Sequence, residues 1–256
     1  MNLLRVCVWR DWLVMRTRTP ALLFDLFAVL MTAVVFYYLA QYLDRGQDFF
    51  PFVLAGLTIV RIHGAVPRVL ASSTARIADG SLEVLMSGRA RPAVVFLSEG
   101  AFELARGMVL AIGVLLVGVG VFGADVTLTA PGLAAVAVGL VGATLILLAL
   151  STALLALLMV LREAGAVGSF SGVLLPILGG VYFPLTILPA PLESIARVLP
   201  FHVPVDVIRS GLTAGVFPTT QVAVLAGACA ASLAIAALLA RPAVQHARRA
   251  GRLALE

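Results

Sequence analysis

At 256 residues, 61% hydrophobic and 12% charged, with a mean hydropathy of +1.08, the chain has more apolar surface than a water-soluble domain this size could hide, so it reads as an integral membrane protein. The net charge of +5 comes from 18 basic residues, all of them arginine. Without lysine there can be no GxxxxGK[ST] phosphate loop, so any ATP hydrolysis must come from a partner chain.

Residues 2–19 hold Arg5, Arg10, Arg16 and Arg18 with Trp9 and Trp12 among aliphatic side chains. Leu4, Val8, Trp12 and Met15 share one helical face. The segment is expected to be an amphipathic helix on the membrane surface with its tryptophans at headgroup depth; the plainer alternative is a basic flank that orients the first span. No cleavable signal is expected, because the first apolar run starts only after Arg18. Cys7 and Cys229 lie far apart and are expected to be reduced thiols.

Apolar runs follow at 21–43, 50–72, 93–122, 132–160, 165–183 and 219–240, each close to the ~20 residues needed to cross a bilayer core. The expected fold is therefore all-α with six transmembrane helices. Arginines collect before the first span, between spans two and three (Arg68, Arg76, Arg89, Arg91), at Arg162 and after span six (Arg241, Arg248, Arg249, Arg252). The positive-inside rule then puts both termini in the cytoplasm of a multi-pass inner-membrane protein, and topology accounts for the charge without a nucleic-acid partner.

Between spans two and three, 74–91 reads TARIADGSLEVLMSGRAR. Ile77, Leu82, Leu85 and Met86 can line one face of a short helix pair, with Asp79-Gly80 at the bend and Glu83 exposed. Span two contains Arg61 and His63, and span three contains Glu99, Glu103 and Arg106. An ionisable group at the bilayer centre costs ~2.5–3.5 kcal/mol on insertion scales, so these should find partners. Arg61 and Glu103 each lie about eleven residues, roughly 16 Å, from the cytoplasmic ends of their helices. The expectation is that Arg61 pairs with Glu103, or with Glu99 one turn away, as a structural clamp rather than a proton relay, with His63 packing beside it.

Aromatic clusters at Phe36-Tyr37-Tyr38, Tyr42 and Phe49-Phe50-Pro51-Phe52 fall at the outer interface, where a belt of rings is expected, with a carbohydrate-stacking gate as the alternative. Gly168 and Gly172 have the GxxxG spacing of close-packed membrane helices. The same GSFSG stretch lacks the spacing of a serine nucleophile and has no placed histidine base, which argues against an intramembrane hydrolase. No metal-ligand spacing appears.

The stretch Gly179–Arg209 is too broken to span and too apolar for a solvated loop. Leu192, Ile195, Ala196 and Leu199 form one helical stripe, with Glu193 and Arg197 paired on another face. A second short helix starts near Pro204 and carries Val205, Ile208 and Leu212 inward, with Asp206 and Arg209 three apart. Two half-helices that cannot each cross are expected to enter the outer leaflet and turn back, giving a re-entrant segment over 184–215.

Gly180, Phe183-Pro184-Leu185, Leu188-Pro189, Leu192, Ile195-Ala196, Leu199-Pro200, Asp206 and Arg209, with Gly80-Ser81-Leu82-Glu83-Val84-Leu85 upstream, resemble the signatures of the membrane-spanning permeases of type-2 ABC exporters, which handle drugs, lipids and polysaccharides. The sequence departs from that pattern in having only Asp79 before the glycine and Gly88 where a proline is common. The resemblance implies an interface helix at 1–20 followed by a single transmembrane domain over 21–256. It also implies a non-enzymatic transport subunit, a homodimer or pair with a close paralogue, and two separate ATPase subunits that bind ATP and Mg, leaving no cofactor on this chain. Asp79, Gly80, Leu82, Glu83 and Leu85 would form the coupling helix seated on the ATPase, and Arg162-Glu163 a second contact. Spans one and five would line the permease–permease interface. Phe183, Pro184, Pro189, Glu193, Arg197, Pro200, Asp206 and Arg209 would form the outer cap. Smooth Leu/Val/Ala spans favour a hydrophobic or amphipathic cargo; a proton- or ion-coupled carrier or channel using Arg61, Glu99 and Glu103 is the competing reading.

Overall fold

The computed structural model describes residues 19–42, 46–78, 92–161, 172 and 174–249. Residues 1–18 of the expected surface helix 1–20, residues 79–91 of the expected coupling loop 74–91 and Arg162-Glu163 lie outside the described residues; 74–78 of that loop belong to the helix Ala65–Ala78. Within them every regular element is helical: α1 (Thr19–Tyr42), α2 (Gly46–His63), α3 (Ala65–Ala78), α4 (Pro92–Gly120), α5 (Ala130–Leu161), a 3₁₀ turn (Leu185–Ile187), α6 (Ala190–Val198), α7 (His202–Thr213) and α8 (Thr219–Arg249).

Four helical stretches are long and apolar enough to cross a membrane: Phe49–Arg76, Gly100–Gly120, Ala130–Leu158 and Thr219–Ala240. They coincide with the second, third, fourth and sixth runs read from the sequence. The first run corresponds to α1, which holds a shorter apolar stretch, Leu30–Tyr42. Most of the fifth, 165–183, falls outside the described residues.

Local chemistry sets the boundaries. The second span is cut into α2 and α3 at Gly64 because Pro67 has no N–H to give the carbonyl four residues back, while Gly64 N still reaches Val60 O at 2.9 Å. α5 starts on Thr129, whose hydroxyl accepts from Gly132 N at 3.1 Å, with Pro131 in the first turn. The helical piece ending at residue 178 closes in a Schellman turn: Val181 N bonds Pro176 O at 3.1 Å and Gly180 N bonds Ile177 O at 3.2 Å. That turn needs the left-handed backbone that Gly180 supplies, at φ 64°. Pro200 stops α6, and Pro204 sits in the first turn of α7.

Helices in lipid gain little from burying apolar surface against each other, so close backbone approach carries the association. α5 is the central strut, with α7 and α8 laid against it and α2–α4 on another side. Its contact with α7 passes through glycine on both helices. A Cβ on Gly132 would stand 2.5 Å from Gly211 O, and one on Gly211 would stand 2.6 Å from Gly132 O. Gly139 receives Ile208 and Gly142 receives Leu225 of α8 in the same way. By contrast, an added Cβ on Gly172 meets nothing within 4 Å. Among the described residues, Gly172 therefore makes no close helix contact; its partner Gly168 lies outside them.

The two short helices of the outer segment have opposite surroundings. α7 is wedged into the core, with Val203, Val205, Val207, Ile208 and Leu212 buried. α6 buries only Ala196 and leaves Leu192, Ile195 and Val198 exposed, so most of its apolar stripe is not covered by this chain.

Candidate functional site: a charged seam and an outer cap

Two polar clusters stand out in this apolar bundle. The first lies where α1, α2–α3 and α4 meet. Arg68 Nε donates to Glu103 Oε2 at 2.9 Å, and Arg106 Nη1 stands 3.9 Å from the same oxygen. Arg106 also pairs with Asp25 of α1. Arg61 reaches α1 as well, donating from Nη2 to Ala28 O at 2.7 Å and to the Thr32 hydroxyl. Thr32 passes its own proton back to Ala28 O at 2.7 Å.

This replaces the expected Arg61–Glu103 pair, and the reason is register. α2 and α4 touch where a Cβ on Gly107 would lie 3.0 Å from Ile62 Cα and 3.2 Å from Arg61 O. Arg61 is therefore level with Gly107, one turn from Glu103. The helix, interrupted at Gly64 but not ended, carries Arg68 to the level of Glu103 instead. Glu99 lies eight residues from Gly107 along α4, ~12 Å at 1.5 Å per residue. The clamp joins three helices rather than two. Asp25 was not singled out from sequence, although it is the only charged residue in the run 21–43, and Arg68 was read only as one of the arginines that set the topology.

His63 is buried at 5% exposure, and its Nε2 has no partner among the described residues. It borders a cavity of about 20 Å³ also lined by Ile59, Pro176 and Phe201. That is room for a water and far below the ~300 Å³ at which ligand pockets begin.

The second cluster is the outer cap, which centres on Arg209 of α7. Its Nη2 donates to Gly180 O at 3.1 Å, its Nη1 to Asp206 Oδ1 at 3.3 Å, and its guanidinium carbon lies 3.5 Å from the centre of the Phe52 ring. The same Gly179–Val181 turn is pressed from the other side by α2, where a Cβ on Gly56 would come within 2.4 Å of Val181 O. Crowding by the surrounding helices pushes the Asp206 carboxyl above its ordinary value, while Arg209 and then His202 pull it down. One edge of that carboxylate stays open, so the crowding acts from one side.

Glu193 and Arg197 pair at 2.7 Å within α6, and Asp206 and Arg209 pair within α7. Neither pair bridges the two short helices; Arg209 ties α7 to the turn and to α2 instead. Phe183 is half-buried, Pro184 and Pro189 are exposed at the starts of the 3₁₀ turn and α6, and Pro200 lies in the turn between α6 and α7.

The aromatic residues divide between two environments. Tyr38 and Tyr42 are exposed, as in a belt. Phe36 stacks on Tyr182 at 5.8 Å, while Tyr37 meets Phe50 at 5.5 Å and Phe122 at 4.9 Å. These rings join the C-terminal part of α1, the start of α2, the residues just past α4 and the turn around Gly180.

A helical chain with several apolar spans, a short helix folded into the bundle and a charged seam along one interrupted span was compared with known families. The model of the ABC-2 type transporter family matches residues 2–213. The chain belongs to that family. It is thus a multi-pass permease subunit of a type-2 ABC transporter, and such permeases work with an ABC ATPase. Within this permease the matched region runs from the N-terminal segment through the seam and ends at the last residue of α7, which takes in both clusters. Comparison with curated proteins and with solved structures gave no match.

Proposed function

We propose that this permease is one half of an ATP-driven exporter that moves a hydrophobic or amphipathic cargo, such as a drug, lipid or glycolipid, between two permease copies. Two separate ATPase subunits bind the ATP and Mg. The family match over 2–213 carries this reading, because it takes in the segment proposed as the coupling helix, 74–88, as well as the outer cap. In this reading the chain has six spans with both termini in the cytoplasm of the cell membrane. Residues 1–20 lie on the inner surface, and Asp79, Gly80, Leu82, Glu83 and Leu85, with Arg162-Glu163, meet the ATPase. The outer segment enters and leaves the outer leaflet and closes the path.

One structural feature supports a path between copies. Phe24, Phe27, Met31 and Val35 of α1 are exposed, which leaves an apolar face for a second copy or for lipid. The carboxylates Asp25 and Glu103 are each bound to a guanidinium, which favours a clamp over a proton relay.

The test is reconstitution with a candidate ABC ATPase partner. Glu83→Arg is expected to abolish cargo-stimulated ATP hydrolysis while the permease still folds and inserts. Transport that runs at its normal rate without nucleotide would sink the exporter reading in favour of a coupled carrier.

A further inference from the structure

We infer that the seam between α1, α2 and α4 binds the anionic head of an amphipathic molecule, with the Arg61 guanidinium as the contact. If the exporter reading holds, that molecule is the cargo. Arg61 lies 12 residues from Phe49 and 15 from Arg76, the ends of its span. At 1.5 Å per residue this is ~18 Å and ~22 Å, mid-bilayer whichever way the span runs. A cation at that depth needs an anion or water.

The described carboxylates are already engaged. Glu103 is held by Arg68 and Arg106, and Asp25 by Arg106. Register carries Glu99 about two turns away from Arg61. Among described side chains, then, Arg61, Arg68 and Arg106 face two carboxylates, and Arg61 forms no ion pair with either. Its hydrogen bonds among the described residues go to a carbonyl and a hydroxyl, neither of which cancels its charge. Two further guanidinium donors on the seam, Arg68 Nη2 and Arg106 Nε, are buried without a partner among the described residues.

Geometry leaves this excess accessible. The Arg61 bonds lie on the α1 side, where Ala28 is exposed and Thr32 is half-buried. Asp25, Tyr182 and Arg68 are the neighbours that act on the Arg61 charge, and burial removes part of its water. A planar, always charged fork in apolar surroundings suits a phosphate or carboxylate carried on an alkyl body.

The test uses the permease with its ATPase in phosphatidylcholine nanodiscs at high salt, which screens the surface arginines. Spin-labelled phosphatidic acid, stearic acid and phosphatidylcholine, labelled on matching chains, report relative association by electron paramagnetic resonance. The wild type should prefer phosphatidic acid over phosphatidylcholine by about fivefold or more, and Arg61→Gln should remove that preference. Thr32→Val cuts the tether to α1 but keeps the guanidinium, and should retain the preference. Equal binding of stearic acid would mean that any anionic head is accepted; weaker binding would select phosphate.

If Arg61→Gln does not assemble, Arg61→Lys decides. It should keep the anion preference but narrow the gap between phosphatidic and stearic acid, and an unchanged gap counts against a guanidinium contact. No anion preference in the wild type, or a preference that survives Arg61→Gln, overturns the inference. ATP-driven export of the same lipids is measured separately. An Arg61-dependent preference without export leaves the site standing and removes these lipids as the exported cargo, whereas export indifferent to Arg61 overturns the site and leaves the exporter reading.

Discussion

Replacing Arg209 by methionine tests whether the outer cap is held by one side chain. Methionine preserves most of the apolar stem and deletes three interactions at once. The charged bond to Gly180 O at 3.1 Å contributes about 1.5 kcal/mol. Stacking on Phe52 at 3.5 Å, with the guanidinium 17% exposed, adds about 1–2 kcal/mol. The ion pair to Asp206, whose carboxylate is 45% exposed, adds about 0.5 kcal/mol. Relief from desolvating the guanidinium offsets part of this, leaving a net loss of roughly 2 kcal/mol. The assay is thermal unfolding in neutral detergent together with hydrogen exchange across 179–185, where exchange should speed up before global unfolding does. Arg209→Lys should lose about half as much, because an ammonium cannot hold the carbonyl, carboxylate and ring together. Adding Asp206→Asn to Arg209→Met should cost less than the sum of the two single changes. Strict additivity, with exchange at 179–185 unchanged, would show that the cap is held by something else.

Three shorter predictions follow from the packing. Gly211→Ala puts a Cβ 2.6 Å from a backbone oxygen that cannot rotate away, so α5 and α7 must separate; a loss of about 1–3 kcal/mol in unfolding free energy is expected, and a change below about 0.5 kcal/mol would contradict it. Gly56→Ala meets Val181 O at 2.4 Å and should displace the turn that Arg209 holds, read as weaker quenching or faster exchange at Tyr182 with the spans still helical by circular dichroism. Glu103→Gln leaves Arg68 and Arg106 without their shared carboxylate, and about 1–3 kcal/mol of stability should go with it; Arg61→Gln should leave the Arg68–Glu103 distance unchanged, and a shift there would revive the original pairing.

Much of the organisation was legible in single residues. Apolar run lengths gave four spans that the structure contains, because the backbone of a membrane helix must satisfy itself whatever its neighbours do. Pro200 and Gly180 mark the stop and the turn because proline lacks a donor and glycine tolerates positive φ, whereas the break before Pro67 was not read from the run 50–72. The Glu193–Arg197 and Asp206–Arg209 pairs follow from helical spacing alone.

What the sequence could not decide was level and neighbour. Arg61 and Glu103 looked level when counted inward from assumed span ends, but a one-turn offset between α2 and α4, set by Gly107 seating against Ile62, gives Glu103 to Arg68 instead. Local signals are equally silent on why α7 is buried while α6 is exposed, since both show short amphipathic patterns. The decision comes from Gly132, Gly139 and Gly211, which let α7 lie against α5 at backbone contact, while α6 meets no such groove. Helix existence is a property of one segment's chemistry. Which charges meet, and so where the excess cation sits, depends on how closely separate helices can approach.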